Sequence, residues 1–145
     1  MFARLNWSHD SAVALRSVSP MSIVPEPYKS SDSLRELTER LRSFADARDW
    51  EQFHSPKNLA MALASEAGEL LALFRWLRED ETRQLAADQM EKVRGELADI
   101  LNFTVRLADQ LGIDLPDAAH EKVTLNETRY PVAKARGTAK KYDEL

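Results

Sequence analysis

Residues 55–74 read SPKNLAMALASEAGELLALF, and the spacing of the apolar positions in this stretch decides the fold class. At about 100° per residue, Leu59, Leu63, Leu70, Leu73 and Phe74 fall on one arc of a helix. Glu66 projects from the middle of that arc, and Glu69 lies at its edge. Ser55 and Pro56 supply the start: the serine oxygen accepts from an orphan amide, and proline's missing donor costs nothing at the first helical position. The helix is predicted over 56–77. A second stretch, VRGELADILNFTVRLADQL at 93–111, has the same character. Val93, Leu97, Ile100, Thr104, Leu107 and Leu111 form its inward stripe, with Glu96, Asp99 and Phe103 along one flank.

Two acid pairs, Glu66 with Glu69 and Glu96 with Asp99, thus look toward packed protein. Two ionised carboxylates roughly 5.5 Å apart repel by about 3 kcal/mol at an effective dielectric of about 20, before any cost of burial. Protons, salt bridges or a hard divalent cation can relieve that. Charged residues three apart are common on solvated faces, but recurrence on a second apolar helix favours the cation. An all-oxygen donor set selects Mg2+ or a similar ion. Carboxylate-bridged di-iron, the competing chemistry, uses Glu-x-x-His elements, and none is expected at His9, His54 or His120.

Working outward, 145 residues suffice for one core of about four helices, small for a chain that works alone, so oligomerisation is expected. Leu, Ala, Glu and Arg dominate, only four glycines occur, and no period-two pattern follows residue 30; the fold class is all-α. Residues 1–33, with Pro20, Pro25, Pro27 and a serine cluster, read as a disordered lead-in, and Met21 as a candidate start. A first helix is expected over 34–48, with Leu34, Leu37, Leu41 and Phe44 on one face, followed by an aromatic loop, Trp50 to His54. Asp80 is the expected cap of the third helix, which Gly112 ends. Asp114 and Pro116 open a fourth that stops before Pro131, closing a helical domain at 34–131. The lysine-rich remainder, 132–145, reads as an extended tail.

A net charge of −4 and a pI near 5.4 argue against nucleic acid or an anionic membrane as the main partner. No cysteine is present and no transmembrane span is seen, consistent with a cytoplasmic protein. The terminal Asp143-Glu144-Leu145 matches an ER-retention signal only in part, with no signal peptide ahead of it.

On the fourth helix, Lys122, Asn126 and Arg129 or Tyr130 recur at helical spacing. The face is an ordinary polar surface or, beside a metal, a clamp for phosphates. Trp50, Phe53 and Trp76 are either core aromatics or stacking partners for a planar base.

The run FADARDWEQFH at 44–54, then Asn58-Leu59, Glu66-x-x-Glu69-Leu70, Glu96-x-x-Asp99 and Lys122-x-x-x-Asn126-x-x-Arg129-Tyr130-Pro131, resembles the MazG-like all-α nucleotide pyrophosphohydrolases. Within them it is most similar to the dCTP pyrophosphatases. The likeness spans about residues 34–145, with the motifs in order. It implies hydrolysis between the α and β phosphates, taking dCTP or modified dCTP to dCMP and pyrophosphate in nucleotide-pool sanitation. It also implies Mg2+ on Glu66, Glu69, Glu96 and Asp99, phosphate contacts from Lys122, Asn126 and Tyr130, and a base pocket at Trp50 and Trp76, beside Phe103. Paired subunits, as a dimer or a tetramer, are implied too. Leu41 and Phe103 depart from the histidine and tyrosine of close relatives, which makes the pocket drier and bears on base preference. The mechanism expected is in-line attack by water, with Glu66 orienting or deprotonating it. The alternatives are the same chemistry on dUTP or another nucleotide, or a noncatalytic helical adaptor whose acids pair with Arg75, Arg94 and Arg106.

Overall fold

The structure, a computed structural model, describes residues 32–145; the expectations for the lead-in and for Met21 lie outside them, apart from the last two positions of the former. Among the described residues all regular structure is helical: α1 (Asp32–Asp46), α2 (Pro56–Phe74), α3 (Ala87–Leu111), α4 (Leu115–Arg129) and a single turn α5 (Val132–Ala135), with 3-10 turns at Glu51–Phe53, Glu81–Arg83 and Tyr142–Glu144. Packing is centred on α3, which lies against α2 over much of its length and against α1. Ala45, Leu59, Val93, Val105 and Ala108 form the buried apolar core.

Local chemistry sets most of the helix ends. Ser55 accepts from the Asn58 amide at 3.3 Å with Pro56 in the first turn, and Asp114 accepts from the Asp117 amide at 3.0 Å with Pro116 behind it. Gly112 at φ 65° ends α3 as the Ile113 amide reaches back to the Ala108 carbonyl at 2.9 Å. The same reversal ends α1, with Asp49 in the left-handed position at φ 52° and the Trp50 amide on the Ala45 carbonyl at 3.0 Å. α1 therefore starts before, and stops before, the limits expected from the sequence. Aspartate tolerates that backbone better than most residues, and its carboxylate accepts from the Gln52 side chain at 2.8 Å.

Three expectations are corrected. Asp80 does not cap α3: its carboxylate pairs with Arg78 at 3.3 Å, and Glu81 takes the Arg78 amide at 2.8 Å. The loop thus closes on itself, and α3 begins at Ala87, where the Gln89 side chain accepts from the Ala86 amide at 3.3 Å. Leu97 and Leu111 do not face inward; both are about half exposed, at 52% and 53%, because α1 and α2 cover only part of the circumference of α3. The C-terminal segment is not simply extended. After α5 it turns at Gly137, φ 77°, and brings Tyr142 back to the end of α4, edge-on to Tyr130 at 6.1 Å and under the Arg129 guanidinium at 5.0 Å.

Candidate active site

The long α2–α3 contact places Glu66 opposite Glu96 and Asp99. Each of the three offers a carboxylate oxygen within 4.8 Å of the others, so one ion can be shared among them. Glu66 and Glu96 are half-buried and Asp99 is exposed. Desolvation, then the charges of Glu69, Asp99 and Glu96, push the Glu66 carboxyl up to about 7. Burial and the charges of Glu69 and Asp99 raise Glu96 as well. Glu66 and Glu96 face each other with carboxylate oxygens within 4.8 Å, and their coupling favours the proton on Glu66.

Glu69 stands apart from the three. It is exposed and acts on Glu66 and Glu96 through its charge, so the structure gathers three of the four expected ligands around one point, with the fourth at the rim. The donor set fits a hard divalent cation: it is all carboxylate, it repels itself, and among the described residues no lysine or arginine forms an ion pair with it. Among the described residues Arg94 pairs with Glu91 at 3.5 Å, Arg75 lies 5.2 Å over the Trp76 ring, and Arg106 pairs with Glu51 and Asp109. The arginines that an adaptor reading requires are thus engaged elsewhere.

One Glu-x-x-His spacing overlooked in the sequence, Glu51 to His54, does not join the acid group. Glu51 opens a 3-10 turn that His54 closes, and both are engaged with Arg106.

The aromatic and polar candidates are distributed more widely. Trp50 is half-buried, edge-on to Phe44 at 5.6 Å and to His54 at 6.2 Å. Trp76, just past α2, is 82% exposed, and Phe53 is exposed too. Phe103 is half-buried one turn beyond Asp99. Lys122 is exposed on α4, with Asn126 and Tyr130 half-buried, yet α4 packs against neither α2 nor α3 to an extent comparable with their own contact. Within one chain the expected phosphate face is therefore not docked on the acids.

Sequence reasoning missed the charge network on the other side of Trp50. Arg106 is 5% exposed, donates to Asp109 at 2.6 Å, pairs with Glu51 and directs Nε at His54 Nδ1, 3.4 Å away. Asp109 also takes Arg42 of α1, whose hydrogen bond holds the Asp109 carboxyl below its usual range. The available signal was an arginine between Val105 and Leu107 with an aspartate three residues on.

Residues 61–145 match the MazG-like family. The chain belongs to that family. The dCTP pyrophosphatase 1 of Bos taurus is 40% identical over 143 residues, 97% of this chain and 85% of that protein. The Homo sapiens dCTP pyrophosphatase 1 is 40% identical over 126 residues, 86% of this chain and 71% of that protein. A crystallised pyrophosphatase from Archaeoglobus fulgidus superposes with a TM-score of 0.66 at 34% identity, covering 73% of this chain and 99% of its own. The all-α expectation and the MazG-like resemblance are both borne out. No helix among the described residues is long and apolar enough to cross a membrane.

Proposed function

We propose that this chain is a Mg2+-dependent nucleoside triphosphate pyrophosphohydrolase that converts dCTP, and dCTP modified on the base, to dCMP and pyrophosphate. The observation that carries the reading is a self-repelling carboxylate group on α2 and α3, in a chain about 40% identical to dCTP pyrophosphatases over most of its length.

Glu66, Glu96 and Asp99, with Glu69 at the rim, are the side chains that would hold Mg2+, which when bound supplies charge neutralisation for the phosphates and polarises the phosphoryl oxygens. Glu66 orients the attacking water and accepts its proton; a carboxylate whose affinity for protons is raised toward neutrality suits that task. The water oxygen bonds to the α phosphorus as the bond from that phosphorus to the bridging oxygen breaks, and the electron pair leaves on pyrophosphate. Lys122, Asn126 and Tyr130 bind the leaving phosphates. Trp50 and Trp76 sandwich the cytosine, and Phe103 closes the apolar side of the pocket beside Leu41.

A homo-oligomer, dimer or tetramer, makes these groups converge. Two features support it: among the described residues α4 has no close helical partner, and Met90, Leu97 and Leu101 form an exposed apolar stripe on α3. Because each is only about half exposed, burying the rest of these three side chains against another copy contributes roughly 2–4 kcal/mol before association costs. Pairing brings an α4 face to the acids of a neighbouring subunit. Such an enzyme serves nucleotide-pool sanitation and is placed in the cytoplasm.

The test is incubation with Mg2+ and each common and 5-modified nucleotide, followed by chromatography. Release of dCMP with intact pyrophosphate is expected. Orthophosphate as the first product overturns the bond assignment, and faster cleavage of dUTP overturns the base assignment.

A further inference from the structure

We propose that Arg106 is a positioning residue that locks the Trp50 loop to α3 and so sets the seat of the nucleotide's base; the second half of this rests on the function proposed above. Arg106 is 5% exposed, and two of its three partners, Glu51 and His54, bracket the 3-10 turn that follows Trp50. Gln110, one turn along α3, donates to the second Glu51 oxygen at 3.0 Å. The far side of the loop is held independently by the Asp49 reversal, which returns the Trp50 amide to α1. Trp50 thus sits between two anchors, and its ring rests on Phe44 and His54.

The location gives the anchor its consequence. Asp99, Phe103 and Arg106 follow one another at four and three residues along one face of α3. The loop is therefore tied about 10 Å along the helix axis from the acid that opens this row. That offset is of the order of a nucleoside's length, so phosphates at the acids put a base at the loop. A buried guanidinium serving only as glue between helices would pair with a neighbouring helix. Arg106 instead spends its fork on the loop and on Asp109, and Asp109 carries the link to Arg42 of α1.

The test uses the full chain with Trp7→Phe and Trp76→Phe, which leaves Trp50 as the only tryptophan. Adding Glu51→Gln removes the charge that ties the loop to Arg106 while keeping the side-chain shape. Acrylamide quenching of Trp50 is expected to rise at least about twofold. In the chain that retains all three tryptophans, Glu51→Gln is expected to raise KM for dCTP about 10-fold and leave kcat within about twofold. Arg106→Lys, which keeps the charge and loses the fork, gives the same split wherever it folds; Glu51→Gln decides otherwise. Unchanged quenching in folded Glu51→Gln overturns the anchor. Raised quenching with an unmoved KM, or a lowered kcat at constant KM, overturns its link to the base. If the unsubstituted chain leaves dCTP intact, the proposed function falls, and the quenching arm alone decides the anchor.

Discussion

Glu66 on α2 and Glu96 on α3 bring carboxylate oxygens within 4.8 Å of each other across the helix pair, with the proton favoured on Glu66. The Glu66 carboxyl titrates near 7, against about 4.3 in an unfolded chain, so folding takes up a proton in between. A pKa raised by folding contributes stability that is complete below the unfolded value and lost as pH rises through the folded one. In EDTA the melting temperature should therefore fall by a few degrees between pH 5 and pH 8, corresponding to about 1 kcal/mol once solvent screening of this partly exposed group is allowed for. With millimolar Mg2+ the fall should disappear, since the ion takes over the neutralisation. Scanning fluorimetry across that window checks both arms. A flat profile in EDTA removes the repulsion on which the site depends.

Glu66→Gln separates chemistry from folding. It removes the proton acceptor and one ionised oxygen, so kcat should drop by about 10²–10⁴ at saturating Mg2+. The same substitution relieves the carboxylate repulsion, so the metal-free protein at pH 8 should melt no lower than the unsubstituted chain. Circular dichroism and single-turnover assays give the two readouts. A turnover within twofold of the unsubstituted chain assigns the proton transfer elsewhere.

Features encoded by a few adjacent residues were legible. Ser55-Pro56, Gly112 and Asp114-Pro116 each state a helix end in local chemistry, and each appears where expected. The meeting of Glu66 with Glu96 was legible because carboxylates on an apolar arc conflict with burial, whereas Glu69 and Asp99, expected to look toward packed protein, are exposed. Asp80 misled because its carboxylate had a second option, the Arg78 guanidinium two residues away, and sequence alone does not rank a cap against an ion pair. Leu97 misled because periodicity shows which face is apolar, whereas the exposed stripe depends on what covers α3. The Arg106 network joins residues more than fifty apart to a helix-internal pair, so nothing local distinguishes Arg106 from the other arginines.

That network has unequal members. Asp109 is nearly buried and lies between two guanidiniums, one of them the buried Arg106. Asp109→Ala should cost roughly 3–5 kcal/mol, because it strips a buried charge of a partner. Arg42 is largely solvated, so Arg42→Ala should cost only a small fraction of that and leave Arg106 paired. Since pairing holds the Asp109 carboxyl below its ordinary value, its contribution is present above about pH 4 and lost as pH falls below that. Urea titrations at pH 7 and pH 3 should show the gap between Asp109→Ala and the unsubstituted chain narrowing in acid. Equal costs for the two variants at pH 7 would contradict the burial argument.

Met90, Leu97 and Leu101 recur at seven and four residues along α3, within about 40° of arc, and each is exposed in the single chain. The acid on the same helix nearest the catalytic proton, Glu96, points well away from that stripe. Leu97→Asp should therefore leave the fold and the metal-site carboxylates in place while putting a charge into any contact made by this face. Light scattering after gel filtration should show the substituted protein as a smaller species. If α4 of a neighbouring subunit supplies Lys122, Asn126 and Tyr130, activity should fall together with assembly, by about 10-fold or more, and return partly at high protein concentration. A Leu97→Asp protein that is monomeric yet fully active would mean that a single chain brings its own α4 to the acids when substrate binds.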